Sequence, residues 1–169
     1  MADTGTITMS GVILPDKINK KINSKTASYE PANNTEGWYY KLTNVTTSAA
    51  DLISGTFLNK STASNDTGSD LATVHVNDIV KFIYIEHEGV TDDLSSSTND
   101  SIYITLDGTT ADRSNASGAI EIKTGQSWFG RINTTVGNIH AVTGVANLGG
   151  VSGIAKVNCV VAAIIDDVA

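Results

Sequence analysis

The stretch IVKFIYIEH, residues 79–87, is apolar on both of its alternating faces from Ile79 to Ile85. That pattern predicts a strand inside a sheet, covered by protein on both sides. On its C-terminal side, small and acidic residues from Gly89 to Asp100 read as a loop. SIYITLDG (101–108) follows, with Ile102, Ile104 and Leu106 aligned on one strand face, and then a second loop from Thr109 to Ser117. GAIEIKTGQSWFGRI (118–132) reads as a hairpin: Ile120 and Ile122 point inward on one arm, Trp128 on the other, and Thr124 and Gly125 make the turn. NIHAV (138–142) is a short strand, and KVNCVVAAIIDDV (156–168) a long, largely apolar one.

On the N-terminal side, Leu71 to Val76 leads into the central strand after a loop-like NKSTASNDTGSD (59–70). In WYYKLTNVTT (38–47), Trp38, Tyr40 and Leu42 share one strand face, and Ala49 to Leu58 fits a short helical turn followed by a strand. TGTITMSGVIL (4–14) suits a first strand, interrupted at Gly11 and ended by Pro15. The following DKINKKINSK (16–25) places Ile18 and Ile22 four apart, which fits either one helical turn or an extended arm. About eight to ten short strands, with no amphipathic helix of ordinary length, predict an all-β fold. The expected form is a β-sandwich or jelly-roll-like barrel of antiparallel strands with an extended N-terminal arm. Residues 1–36 would form the first strand and arm, and 37–169 a single β-sandwich domain.

Composition supports that class. Ser, Thr and Asn make up 51 of the 169 residues, whereas charged residues are only 17%. This is poor in the Ala, Glu, Lys and Leu of long helices, and Thr favours strands. Eighteen acids against eleven basic residues argue against coating nucleic acid. No run approaches the length of a membrane span and the N-terminus has no basic signal-peptide region, so a soluble chain is expected. The seven Asn-x-Ser/Thr sequons are ascribed to the abundance of these residues. The single cysteine, Cys159, sits among valines and reads as a small buried hydrophobe.

Motifs for chemistry are sparse. His75, His87 and His140 lack metal-ligand spacing, and His87 between Glu86 and Glu88 reads as an exposed strand-end residue. A metal site using Asp78 or Glu86 would need distant positions to converge, and none is expected. Asp92, Asp93, Asp100 and Asp107 lack EF-hand spacing. There is no GxSxG and no P-loop, and Gly149-Gly150 has no phosphate-loop context. No catalytic residue and no cofactor is expected. Trp38, Tyr39, Tyr40 and Trp128 would more often fill a core than form a sugar platform. Charge is unevenly spread: residues 60–112 hold ten acids and two lysines, whereas 15–41 hold five lysines and three acids. A basic segment beside an acidic body suits docking onto another protein or a neighbouring copy.

The succession SIYITLDGTT, GAIEIKTGQSWFGRI, NIHAV and KVNCVVAAIIDDVA resembles small virion structural proteins of tailed bacteriophages, including those of cyanobacterial phages. In that pattern a strand ending Leu-Asp-Gly precedes an Ile-Glu-Ile-Lys strand, a Gly turn, an aromatic pair, an Asn-Ile-His-Ala strand and a terminal strand closing on acids. The likeness covers roughly residues 71–169, with echoes in GWYYKLTNV and LISGTFL. It implies a capsid decoration or cement protein: a non-enzymatic virion component on the outer surface of the capsid, made in the host cytoplasm, with the major capsid protein as partner. Decoration proteins are commonly trimers, so a homotrimer or other homo-oligomer is expected, with no nucleic acid and no membrane as partner. For attachment, the expectation rests on Lys17, Lys20 and Lys21 as cationic contacts and on Ile18 and Ile22 as apolar anchors. The rival expectations are a carbohydrate-binding tail or fibre module using Trp38, Tyr40 or Trp128, and a neck or tail structural protein.

Overall fold

A computed structural model describes residues 5–13, 20–31, 35–59, 71–91, 97–112, 118–143 and 156–168. Among them the chain is all-β: twelve strands, one 3-10 turn at Val136–Asn138 and no α-helix. The contacts divide the chain into two compact units, Met1–Ala32 and Asn33–Ala169.

The first unit is a two-stranded antiparallel hairpin of β1 (Gly5–Ile13) and β2 (Lys20–Tyr29). Of the two conformations the sequence allows for 16–25, the described part is neither a helical turn nor a lone arm, because Lys20, Lys21 and Ile22 are paired with Ile13, Val12 and Gly11. The register breaks between Met9 and Gly11, which bears out the interruption expected at Gly11. Thr8 and Thr26, cross-strand partners, also bond through their hydroxyls at 3.0 Å.

The second unit is sandwich-like. Its larger sheet has the order β10-β7-β12-β3-β5-β6, formed by β3 (Glu36–Val45), β5 (Thr56–Asn59), β6 (Leu71–Thr73), β7 (Ile79–Thr91), β10 (Ser127–Thr135) and β12 (Val157–Asp166). The smaller has the order β4-β11-β8-β9, formed by β4 (Ala50–Asp51), β8 (Ile102–Thr105), β9 (Ile120–Ile122) and β11 (His140–Thr143). Both contribute to one buried core. Ile83 and Ile85 of β7 and Cys159, Val161 and Ala163 of β12 face Ile102, Ile104, Ile122 and Ala141 of the smaller sheet. β7 and β12 are interior strands, each hydrogen-bonded on both sides, as the apolar run at Ile79–Ile85 predicts for β7. On the outer face of β7 Phe82 is buried but Tyr84 and Glu86 are part-exposed, so the cover expected on both faces is incomplete.

Two local expectations are corrected. Residues 49–58 contain no helical turn: Ala50–Asp51 pairs with β11, Leu52 N–H bonds to the Ile139 carbonyl at 3.0 Å, and the chain then returns to the larger sheet as β5. Nor is 118–132 a hairpin. β9 pairs with β8 in the smaller sheet while β10 pairs with β7 in the larger one. The turn between them is fastened by the Gln126 N–H to the Lys123 carbonyl at 2.9 Å, with Gly125 at φ +70°. Two further backbone bonds go to β7, from Gly125 N–H to the His87 carbonyl and from His87 N–H to the Gln126 carbonyl, and the Thr124 hydroxyl donates to the Thr98 carbonyl at 2.7 Å. The Gly turn therefore moves the chain from one sheet to the other.

Candidate functional site

The feature most unlike an ordinary solvated surface is the outer face of the larger sheet. Strand alternation sends Tyr39 into the core and Trp38, Tyr40 and Leu42 outward. Register then sets three parallel rows of side chains. Tyr40 lies beside Ala162, Ala162 beside Tyr84, and Tyr84 beside Phe129. Leu42 neighbours Val160, which neighbours Glu86. The third row runs Leu71, Leu58, Trp38, Ile164, Phe82, Arg131. Strands spaced about 4.8 Å apart make these rows contiguous. Trp38 packs edge-on against Phe82 with ring centroids 6.2 Å apart, and Phe82 and Ile164 are buried. Tyr40 is 73% exposed, and Leu42, Leu58 and Leu71 are exposed as well. Large apolar side chains gathered on one sheet face mark an interaction surface more often than scattered ones do.

Polar groups border these rows. The Tyr84 hydroxyl donates to Glu86 Oε2 at 2.7 Å, and burial first, then the Glu86 carboxylate, pushes the Tyr84 phenol above its usual range. Lys81 sits where β7 shifts register against β12, and reaches Asp166 at 3.4 Å and Asn133 Oδ1 at 3.3 Å.

The aromatic residues that the sequence singles out are split between two faces. Tyr39 is in the core, its hydroxyl donating to the Ser54 carbonyl at 3.2 Å, and Trp128 packs against the core from the same side. Trp38 and Tyr40 point the other way, so the four do not make one platform. The expected attachment residues fall in the first unit. Lys20, Lys21 and Ile22 open β2, while Lys17 and Ile18 lie outside the described residues, as do Asp92, Asp93 and the Gly149-Gly150 turn.

The histidines do not converge. His87 is not an exposed strand-end residue: alternation along β7 turns it inward with Ile83 and Ile85, leaving Glu88 exposed. Its Nδ1 accepts the Gly89 N–H at 2.9 Å, which makes Nε2 the donor to the Asp100 carbonyl at 2.6 Å. His140 lies 3.4 Å from Asp51 on the smaller sheet, with Nδ1 3.0 Å from the Thr109 carbonyl. His75 is exposed beside buried Asp78 and near Asp167.

The acids of the Asp100 and Asp107 loops are tied locally. Asp107 accepts both the N–H and the hydroxyl of Thr109, at 3.0 and 2.6 Å, and these bonds hold its carboxyl below the usual carboxylate range. Cys159 is buried as expected, and desolvation, with a smaller contribution from Glu88, pushes its thiol up to about 12. A groove lined by Ile104, Thr105, Leu106, Asp107, Gly118 and Ile120 holds one carboxylate among the described residues, and its Thr105 hydroxyl donates to the Thr109 carbonyl at 2.6 Å. Compared with known protein families, with curated proteins and with solved structures, the chain finds no match in any of the three.

Proposed function

We propose that this chain is a non-enzymatic structural subunit of a tailed-phage virion, a capsid decoration protein that binds the major capsid protein on the outside of the shell. The observation that carries the reading is the outer face of the six-stranded sheet, where Tyr40, Leu42, Leu58 and Leu71 stand exposed beside a buried layer of Phe82 and Ile164. Such a face loses water-exposed apolar area when a protein surface covers it. The N-terminal unit adds support. The hairpin unit carries four lysines against three acids, the body seven Lys and Arg against fifteen Asp and Glu, so the two offer a partner opposite charges.

The test is occupancy on expanded shells at physiological salt. Charge reversal at Lys20 and Lys21, and separately Tyr40→Asp with Leu42→Asp, should each reduce bound copies. Full occupancy by both variants would remove the hairpin lysines and the sheet face from the mechanism.

The exposure of Tyr40 favours one second reading, a glycan-binding module of a tail or fibre. It predicts saturable binding of oligosaccharides that Tyr40→Ala abolishes, with no affinity for shells.

A further inference from the structure

The geometry points to a divalent transition-metal site formed by His75, Asp78 and Asp167. It stands independently of the virion reading. The three residues are brought together by the register of the larger sheet. Ile79, the first residue of β7, pairs with Asp166, the last of β12, so the residues just outside the two strands, Asp78 and Asp167, are adjacent although 89 positions apart. The turn before β7 brings in the third. Asp78 N–H bonds back to the His75 carbonyl at 3.1 Å, and His75 N–H donates to Asp78 Oδ2 at 2.7 Å. The same turn is fastened to the 3-10 turn by Val136 N–H on the Asp78 carbonyl and Gly137 N–H on the Val76 carbonyl. The site therefore sits on fixed backbone.

One ligand atom from each residue lies within 4.8 Å of the other two, and His75 Nδ1 is 3.8 Å from Asp78 Oδ2. Donors about 2.0–2.2 Å from a tetrahedral zinc ion are roughly 3.3–3.6 Å apart. The set is thus slightly open, and the His75 ring, whose side chain is 53% exposed, can rotate to close it.

A separate observation favours a cation. The Asp78 side chain is fully buried; its Oδ2 accepts the His75 N–H at 2.7 Å and its Oδ1 the Val168 N–H at 3.4 Å, so two backbone groups meet part of its desolvation, while among the described residues His75 is its one ion-pair partner. A buried carboxylate beside a second carboxylate is costly, and a divalent ion between them offsets both desolvation and repulsion. One imidazole nitrogen with two carboxylates suits Zn²⁺, Co²⁺ or Mn²⁺, whereas Ca²⁺ and Mg²⁺ favour oxygen donors alone. Three protein donors leave a position for water or for a donor from another molecule. Bound metal would clamp the end of β12 to the turn that starts β7.

The experiment is calorimetric titration of the full chain, stripped with chelator, with ZnCl₂ in a millimolar MgCl₂ background. One ion should bind per chain, and His75→Ala should weaken binding at least tenfold, each variant's metal-free melting temperature serving as its own reference. Asp167→Asn should also weaken it. At a hundredfold excess of free Zn²⁺ over Kd, melting should rise by roughly 5–10 °C in the wild type only. Co²⁺ in place of Zn²⁺ should give visible d–d absorption that His75→Ala removes. Absence of saturable binding, or Zn²⁺ affinity and Co²⁺ spectra unaltered by His75→Ala, would overturn the site.

Discussion

His87 holds Asp100 across the end of the sandwich: the imidazole Nε2 lies 2.6 Å from the Asp100 carbonyl while Nδ1 accepts the N–H of Gly89. Both ring nitrogens are spent on backbone groups, one at Gly89 near the end of β7 and one at Asp100 just before β8. The side chain is fully buried and works as an internal staple. His87→Ala removes the bonds to the part-buried Gly89 N–H and Asp100 carbonyl and leaves a cavity behind them, so it should destabilise the fold by about 2–3 kcal/mol. Urea denaturation checks this, and amide exchange at Gly89 should accelerate in the variant. A loss below about 1 kcal/mol would refute the staple.

The thiol of Cys159, pushed up to about 12 by burial, has almost no thiolate at neutral or mildly alkaline pH. Native protein at pH 8 should therefore be inert to a disulfide reagent for as long as it stays folded. Reaction should appear in denaturant with the midpoint of global unfolding. Rapid stoichiometric labelling of native protein would contradict the buried position.

Tyr39 predicts an alkaline limit. Burial raises its phenol above the ordinary value, with hydrogen bonds at Ser54 and Thr43 offsetting part of the rise. A group whose folded pKa is raised binds its proton more tightly when folded, so its stabilising contribution is complete below the unfolded value of about 10 and lost as pH rises through the folded one. Phenolate absorbance should show late-titrating tyrosine in native protein, reduced by one group in Tyr39→Phe, where Tyr84 remains. Stability should decline above about pH 10.

Neighbouring tyrosines should behave oppositely. Tyr39→Ala opens the core and should cost about 3–5 kcal/mol, whereas Tyr40→Ala, on the exposed face, should change stability by less than about 0.5 kcal/mol. Thermal and urea melts of the two variants decide it. A large loss from Tyr40→Ala would mean that the outer face already serves the fold of the single chain.

These contrasts also show what sequence reading reached. Successive apolar residues at Ile79–Ile85 are enough to place β7 inside a sheet, although its outer face is only partly covered, whereas the terminal run reads only as a long apolar strand and its central place comes from pairing with both β7 and β3. Strand alternation places His87 inward, but its acidic neighbours Glu86 and Glu88 masked that, since they belong to the other parity. The stretch around Gly125 failed for a different reason. A Gly turn between two short strands has the same local sequence whether the strands pair with each other or with different sheets, and only the long-range bonds to His87 distinguish them. Trp38, Tyr40 and Leu42 were correctly put on one face, yet whether that face is core or surface depends on Tyr39 and the strands beside it. The His75–Asp78–Asp167 grouping has no motif because strand register, not spacing, assembles it.

Copy number per particle tests the decoration reading most directly. Under the proposed reading the chain is encoded by a phage, and quantitative mass spectrometry of that phage's purified virions should count it against the major capsid protein. The account predicts hundreds of copies per particle, lost from shells when Tyr40 and Leu42 are both changed to Asp. A dozen copies or fewer would place the chain at the neck or tail, and its absence from purified particles would contradict a virion role altogether.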